Sequence, residues 1–370
     1  MGYGGGGGGS GGSGGGYSTV GGGRAFSDDQ ELPSYEQAPA GAIRFNTDSN
    51  KLEVYIGGPV GYGTLPNGQW MEVDNWSPGN QTGGTRGVYG GGSTPANTDT
   101  IDYVNIDSTG DAIDFGNLAT SGQQTGFSSR TRGCFAMGSN NNTIQFITIS
   151  STGNAADFGD RTVALNGTGS LSNSTRGVML GGGSPSPQVN TMDYVTIAST
   201  GNAVDFGDMQ TPNKNARSGA NSTRGVIQEG GSPGAQNIIS FISIPTLGNA
   251  ADFGNLTSAR EGTLGCSNSV RAVFAGGWVS PNSTNIIDYV TISTLGNAAD
   301  FGDLTRITRD SEGASSPTRA IFGGGYASPG GVQNTIDYIQ FANKGDAIDF
   351  GDLTRSHSNL GALSNGHGGL

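Results

Sequence analysis

Six times along this 370-residue chain the tripeptide Asp-Phe-Gly returns, with its phenylalanine at 115, 158, 206, 253, 301 and 350. A single copy, accompanied by a strand lysine and an H-R-D run, would place a magnesium-binding carboxylate for phosphoryl transfer. The chain has no H-R-D run, and six copies would amount to six half-sites. The spacings of 43, 48, 47, 48 and 49 residues assign the tripeptide to a repeating architecture instead.

Other chemistry finds little support in the residue types. Calcium loops use a dense run of acidic ligands, whereas each unit here offers only Asp-Phe-Gly followed by Asp or Asn. The two cysteines, Cys134 and Cys266, form no C-x-x-C pair, and the only histidines are His357 and His367. That excludes a zinc site or a disulfide framework as an expectation, and leaves too few histidines for a copper centre built from Tyr and His. No nucleophile elbow is expected, because G-x-S-x-G occurs only inside Gly-rich runs, at 8–12, 11–15 and 230–234, and not between a strand and a helix. Glu229, Glu261 and Glu312 could each meet an Asp as a glycoside-cleaving pair, but nothing selects one. The expected reading is a protein that is not an enzyme and carries no cofactor or metal.

Composition narrows the partners. A net charge of −12 and a pI near 4.5 argue against nucleic-acid binding. No stretch reaches the roughly 18 apolar residues of a membrane span, and the N-terminus lacks a secretory apolar core, so no membrane insertion is expected. With 69 glycines, many turns are expected rather than long helices.

Between the Asp-Phe-Gly copies a second phrase recurs, opened by Arg86, Arg132, Arg176, Arg224, Arg271 and Arg319. Each full unit reads as four short strands separated by Gly, Pro, Asn and Asp turns, with no helical period. Four strands per unit predict a propeller blade, and six units a six-bladed ring. Ala320-Ile321-Phe322-Gly323-Gly324 followed by Ile336-Asp337-Tyr338 resembles the second and third strands of a kelch repeat, although Phe350 stands where kelch units usually place Trp. The fold class is therefore all-β, a six-bladed kelch-like propeller over 78–370. The terminal "LTRSHSNLGALSNGHGGL" aligns with the start of a unit and is expected to complete blade one, closing the ring.

The repeat also yields expectations for single residues. The six phenylalanines should pack between blades and the adjoining glycines should permit close backbone approach. Asp114, Asp157, Asp205, Asp252, Asp300 and Asp349 match the six arginines one for one, which suggests Arg–Asp pairs; local turn amides are the alternative acceptors' partners. Cys134 and Cys266 fall in opposite blades, too far apart for a disulfide.

Ahead of the repeats lie two further segments. Residues 1–24 are almost entirely Gly and Ser, a flexible tether by composition. In 25–77, the alternation of Ile43, Phe45, Leu52, Val54 and Ile56 around "NTDSN" predicts a β-hairpin with a third strand at Trp70–Val73. So small a module needs a partner surface or copies of itself. "GAIRFNTD", "KLEVY" and "WMEV" in this segment resemble a module of tail-fibre and other virion proteins of tailed phages, cyanobacterial phages included. The resemblance implies a virion protein assembled in the host cytoplasm, attached to other virion proteins through its N-terminal region, homo-oligomeric, and serving as a peripheral tail or capsid appendage. It implies host-surface glycan or protein as the propeller's ligand, with purely structural decoration or connection as the alternative.

In such a blade, loops between the second and third strands share a face with the inter-blade connections. Those segments vary along this sequence, whereas the opposite-face turns repeat "STGNA" or "TLGNA". Specific binding is therefore expected on the varied face. Its candidates are Trp278 and Tyr326, just after the glycines, and Lys214, Arg260, Arg306 and Arg309 on the connections. Aromatic rings suit sugar faces and cations suit acidic groups.

Overall fold

A computed structural model describes residues 42–46, 51–56, 69–72, 85–93, 95–183, 187–231 and 234–370. The tether expected over 1–24 lies outside the described residues, as does the turn at 47–50. The chain divides into two units, Met1–Asn80 and Gln81–Leu370. In the first, strands Ile43–Asn46, Lys51–Ile56 and Gln69–Glu72 form one antiparallel sheet in sequence order. Ile43 faces Val54, and Val54 in turn faces Met71.

The second unit is an all-β, six-bladed propeller. The described residues include no helix. From the centre outwards, blade two consists of Gln124–Ser128, Arg132–Met137, Asn141–Thr148 and Ala156–Leu165. Blades three and four, from Gly169–Ser172 to Val204–Asp208 and from Arg217–Ala220 to Ala251–Asn255, repeat the pattern. Blade five runs from Leu264–Ser267 to Ala299–Thr308, and blade six from Gly313–Ser315 to Ile348–Asp352. Blade one takes its innermost strand from the other end of the chain: Gly361–Ser364 pairs with Arg86–Gly90, Gly361 opposite Gly90 and Ser364 opposite Gly87. A ring sealed in this way leaves no inner strand without its blade.

The Asp-Phe-Gly tripeptide proves to be the joint between blades. In each outer strand the pairing register slips at this point, as between Asp157 and Gly159 or between Asp193 and Met192 of the facing strand, so the phenylalanine occupies a β-bulge. Its ring turns inwards and is buried. Phe301 packs with Ala320, Phe322, Ile339 and Phe341 of blade six, and Phe350 with Tyr89, Val104 and Ile106 of blade one. The same contact closes the other four interfaces. Burying a ring of this size contributes roughly 1.5–3 kcal/mol, six times around.

The following glycine is required by its neighbour. Gly302 has φ +150°, and a Cβ there would lie 2.4 Å from the carbonyl oxygen of Gly345 in the next blade. Across that approach the Gly345 amide donates to Phe301 O at 2.9 Å and the Ala347 amide to Asp303 O at 2.7 Å, while the Asp303 amide donates to Asp346 Oδ1 at 3.1 Å. Equivalent bonds recur at all six interfaces, for example Gly153 and Ala155 to Phe115 and Asn117. The monotony of "STGNA" is thus explained: these turns clip each blade to the outer strand of the one before.

The arginines correct an expectation. None of the six pairs with an Asp of the tripeptides, whose side chains are exposed. Each stacks on the third-strand aromatic ring of its own blade, Arg86 on Tyr103 at 4.8 Å and Arg132 on Phe146 at 4.5 Å, and donates to a carbonyl of the next, Arg86 to Ile149 O and Arg132 to Ile197 O at 2.8 Å. That aromatic ring meets the bulged phenylalanine edge-on, Tyr103 against Phe115 with centroids 5.8 Å apart. Stacking and a carbonyl acceptor satisfy the guanidinium without a buried carboxylate.

Arg–Asp pairs do form, between other residues. Arg161, late in the outer strand of blade two, and Arg260, on the connection between blades four and five, pair at 3.1 Å with Asp193 and Asp288 on third strands. These third-strand side chains are buried and hold the connection that crosses above them. Asp288 accepts from the Thr257 amide and hydroxyl, Asp337 from Thr305, and Asp102 from Thr354. In blade four the position is Ser240, and Glu229 of the adjacent strand substitutes, accepting from Ser240, Gln210 and Thr211.

Candidate functional site

The repeated joints leave one face of the ring without a repeating pattern. There each connection meets the loop after the second strand: Asn166 pairs with Gly183, Glu261 with Trp278 and Arg309 with Tyr326. The residue after the glycines is Ser93 in blade one, and Ser139 follows the single Gly138 in blade two, but it is Trp278 in blade five and Tyr326 in blade six. Both loops then form short hairpins, Trp278–Val279 folding back on Asn282–Ser283 and Tyr326–Ala327 on Gly331–Val332. Ser283 and Ser328 hydrogen-bond the two hairpins together.

Between these rings stands Arg309. Its guanidinium lies 4.6 Å from the centroid of Trp278 and 5.3 Å from that of Tyr326, so one side chain spans blades five and six. Its Nη1 approaches Asp310 Oδ2 at 3.3 Å. Among the described residues its Nε is buried without a hydrogen-bond partner. Asp310 is one of four non-glycine residues with positive φ among the described residues, at 58°; its amide donates to Gly262 O and its carbonyl accepts from the Asn359 amide. Burial pushes the Asp310 carboxyl above its ordinary range, against the opposing charges of Arg309, Arg217 and Lys214.

The six expected site residues therefore separate. Trp278, Tyr326 and Arg309 come together, each part-exposed, and Lys214 is exposed at the connection into blade four with its charge acting on the same Asp310. Arg260 is instead fully buried, its Nη2 on Asp288 and on Phe274 O at 3.0 Å. Arg306 turns towards the blade, donating to Gln333 Oε1 and Thr335 O. Both cations lose water to burial, which lowers their pKa against neighbouring aspartates. They hold connections in place and present no cation to a ligand.

The centre of the ring encloses a cavity of about 60 Å³ lined by the innermost strands. Inner strands have one unpaired edge, and serines cap it. Ser128 donates to Ser364 O, Ser364 to Ser315 O, Ser315 to Ser267 O, Ser267 to Ala220 O and Ser172 to Ser128 O, at 2.5–3.0 Å. The run breaks at Ala220, where Gly368 and Gly369 of the final segment enter. In that segment Gly369 donates to His367 Nδ1 at 3.1 Å, which places the ring proton on Nε2, facing Ser128 O at 3.0 Å. Desolvation lowers the His367 pKa to about 4.

At the other mouth, Glu312 accepts from Thr125 Oγ1, Gly126 N and Ala362 N. Arg217 donates to Ser311 O and Ala216 O. Glu229 and Glu312, two of the three glutamates considered for glycoside cleavage, thus have their carboxylates committed to the scaffold. Cys134 and Cys266 are free and buried, and burial raises both thiols. Among the described residues no three His, Cys, Asp or Glu side chains converge as a metal site.

Sequence reasoning missed Asp310 and the serine run. The second had a signal: aligning the repeats puts Ser128, Ser172, Ser267, Ser315 and Ser364 in register at the inner-strand end. No protein-family model matches this chain, and no curated protein matches it either.

Proposed function

We propose that the chain is a structural protein of a tailed-phage virion, a peripheral tail or capsid appendage whose propeller recognises the host surface. The observation that carries this reading is the contrast between faces. One face repeats the same inter-blade contacts six times, while the other brings Trp278, Arg309 and Tyr326 together once, beside Lys214. A ring built with such regularity has no architectural need for a single aromatic and cationic cluster. The phage assignment rests on the likeness of 41–55 and 70–73 to virion modules.

Of the eight large apolar residues exposed among the described residues, six, Ile113, Val204, Leu247, Val270, Leu295 and Ile348, belong to turns or strand starts on the repeating face, while Val279 follows Trp278 on the other face and Val163 lies late in the outer strand of blade two. This favours contact of the repeating face with other virion proteins, which is also the feature most consistent with a second reading, decoration or connection without receptor binding. Adsorption tests the first reading. Purified chain should block attachment of the phage to its host, and a chain with Trp278→Ala and Tyr326→Ala should block less; full attachment in the presence of saturating wild-type chain would refute host recognition.

A further inference from the structure

Two long side chains reach across the axis of the ring at one end of the central cavity. Arg217 starts at the innermost strand of blade four and donates through Nε to Ser311 O at 2.9 Å, passing blade five to reach blade six. Glu312 starts in blade six and reaches blades one and two, accepting from the Ala362 amide at 2.9 Å, the Gly126 amide at 3.0 Å and the Thr125 hydroxyl at 2.6 Å. The two residues thus link blades four, six, one and two, and Ala362 belongs to the terminal strand that closes the ring. At the far end of the cavity stands His367, followed by Gly368, whose amide donates to Ser267 O at 2.9 Å.

Arg217 and Glu312 are both buried and both border the cavity, yet among the described residues no ion pair joins them. Neither is saturated by its neighbours. The guanidinium has N–H groups beyond those given to Ser311 and Ala216, and Glu312 Oε1 takes only the Thr125 hydroxyl. Opposite charges buried without contact lack the pairing that offsets their desolvation. The group that joins them must accept from a guanidinium and donate to a carboxylate. Chloride has no proton to donate and a metal cation cannot accept one; water does both. A cavity of about 60 Å³ has room for about four waters, and the hydroxyls of Ser128, Ser170 and Ser172 line it as further partners.

We infer that the axial cavity is a water-binding site in which ordered water joins Arg217 to Glu312, and that this hydrated brace holds the closing strand of blade one in the ring. Burial raises the Glu312 carboxyl and the Arg217 charge opposes that rise, the sense of an attraction acting across the cavity. The brace is independent of what either face of the propeller binds.

A crystal structure of the full chain, at a resolution that shows single waters, tests the site directly. It should show water bonded to both the Arg217 guanidinium and the Glu312 carboxylate. A direct Arg217–Glu312 ion pair, no water between the two groups, or an anomalous peak in the cavity of crystals grown in bromide would overturn the inference. Hydrogen exchange of residues 360–365 tests the brace. Arg217→Met should speed exchange there at least about tenfold, because Glu312 keeps a charge that nothing offsets. In a Glu312→Gln background, where that charge is gone, the same substitution should change exchange less than about twofold. An equal change in both backgrounds would mean that Arg217 acts only by packing and would overturn the brace. The wild-type crystal result decides the site even where a variant fails to fold.

Discussion

Two glycines in consecutive blades share a backbone conformation and differ only in the space around them. Gly254 follows Phe253 at φ +150°, and a Cβ there would fall 2.4 Å from Gly296 O and 2.5 Å from Gly296 C. Gly296, at φ +149°, has nothing within 4 Å of that position. Substitution by alanine imposes the same unfavourable dihedral at both, about 1–3 kcal/mol. Only Gly254→Ala must also push two blades apart, straining the bonds from Gly296 N to Phe253 O, from Ala298 N to Asn255 O and from Asn255 N to Asn297 Oδ1. Overpacking against fixed backbone costs about 1–3 kcal/mol more. Urea unfolding of the two variants should place Gly254→Ala lower by that difference at an unchanged slope. Equal midpoints would refute the reasoning that glycine contact, and not the turn conformation alone, joins the blades.

Three further outcomes follow from the same structure. In double-mutant cycles Arg260→Met and Asp288→Asn should be strongly coupled, since the first alone leaves a buried carboxylate uncompensated at about 3–5 kcal/mol; Arg271→Ala and Asp300→Ala should be additive within about 0.5 kcal/mol. Ser364→Ala removes the bond to Ser315 O and should lower unfolding stability by about 1 kcal/mol, read as a shifted urea midpoint. His367 is neutral in both states above its ordinary pKa of 6.5; as pH falls from there towards about 4 the unfolded chain takes a proton that the folded chain refuses. Wild type should therefore lose up to about 3 kcal/mol over that window relative to His367→Gln. Glu312, whose carboxyl burial raises, changes stability in the opposite sense but equally in both proteins.

The ring was legible because its signals are periodic. Phe115 through Phe350 mark the interfaces, and the terminal strand at 361–364 could be placed by alignment with 313–315 alone. Pairing was not legible, since counting six arginines and six aspartates says nothing about sides. Asp300 and its equivalents point out from a bulge, while the acceptors that matter, Asp193 and Asp288, lie one strand further in. Arg260 and Arg309 likewise look alike as cations on connections. What separates them is what each segment crosses: Arg260 lies over the second strand of its blade and is buried by it, whereas Arg309 is one step further along, beside two loops that happen to carry rings. Lateral neighbours across blades decide such cases, and they are set by the whole ring.

If the chain is the virion protein proposed above, locating it in a reconstruction of the particle bears most directly on the proposal that this propeller is specific on one face. The face carrying Trp278, Tyr326, Arg309 and Lys214 should point outwards from the particle, with Leu247, Leu295 and the repeated turns towards neighbouring virion proteins. Burial of the Trp278 face against other subunits would contradict the account.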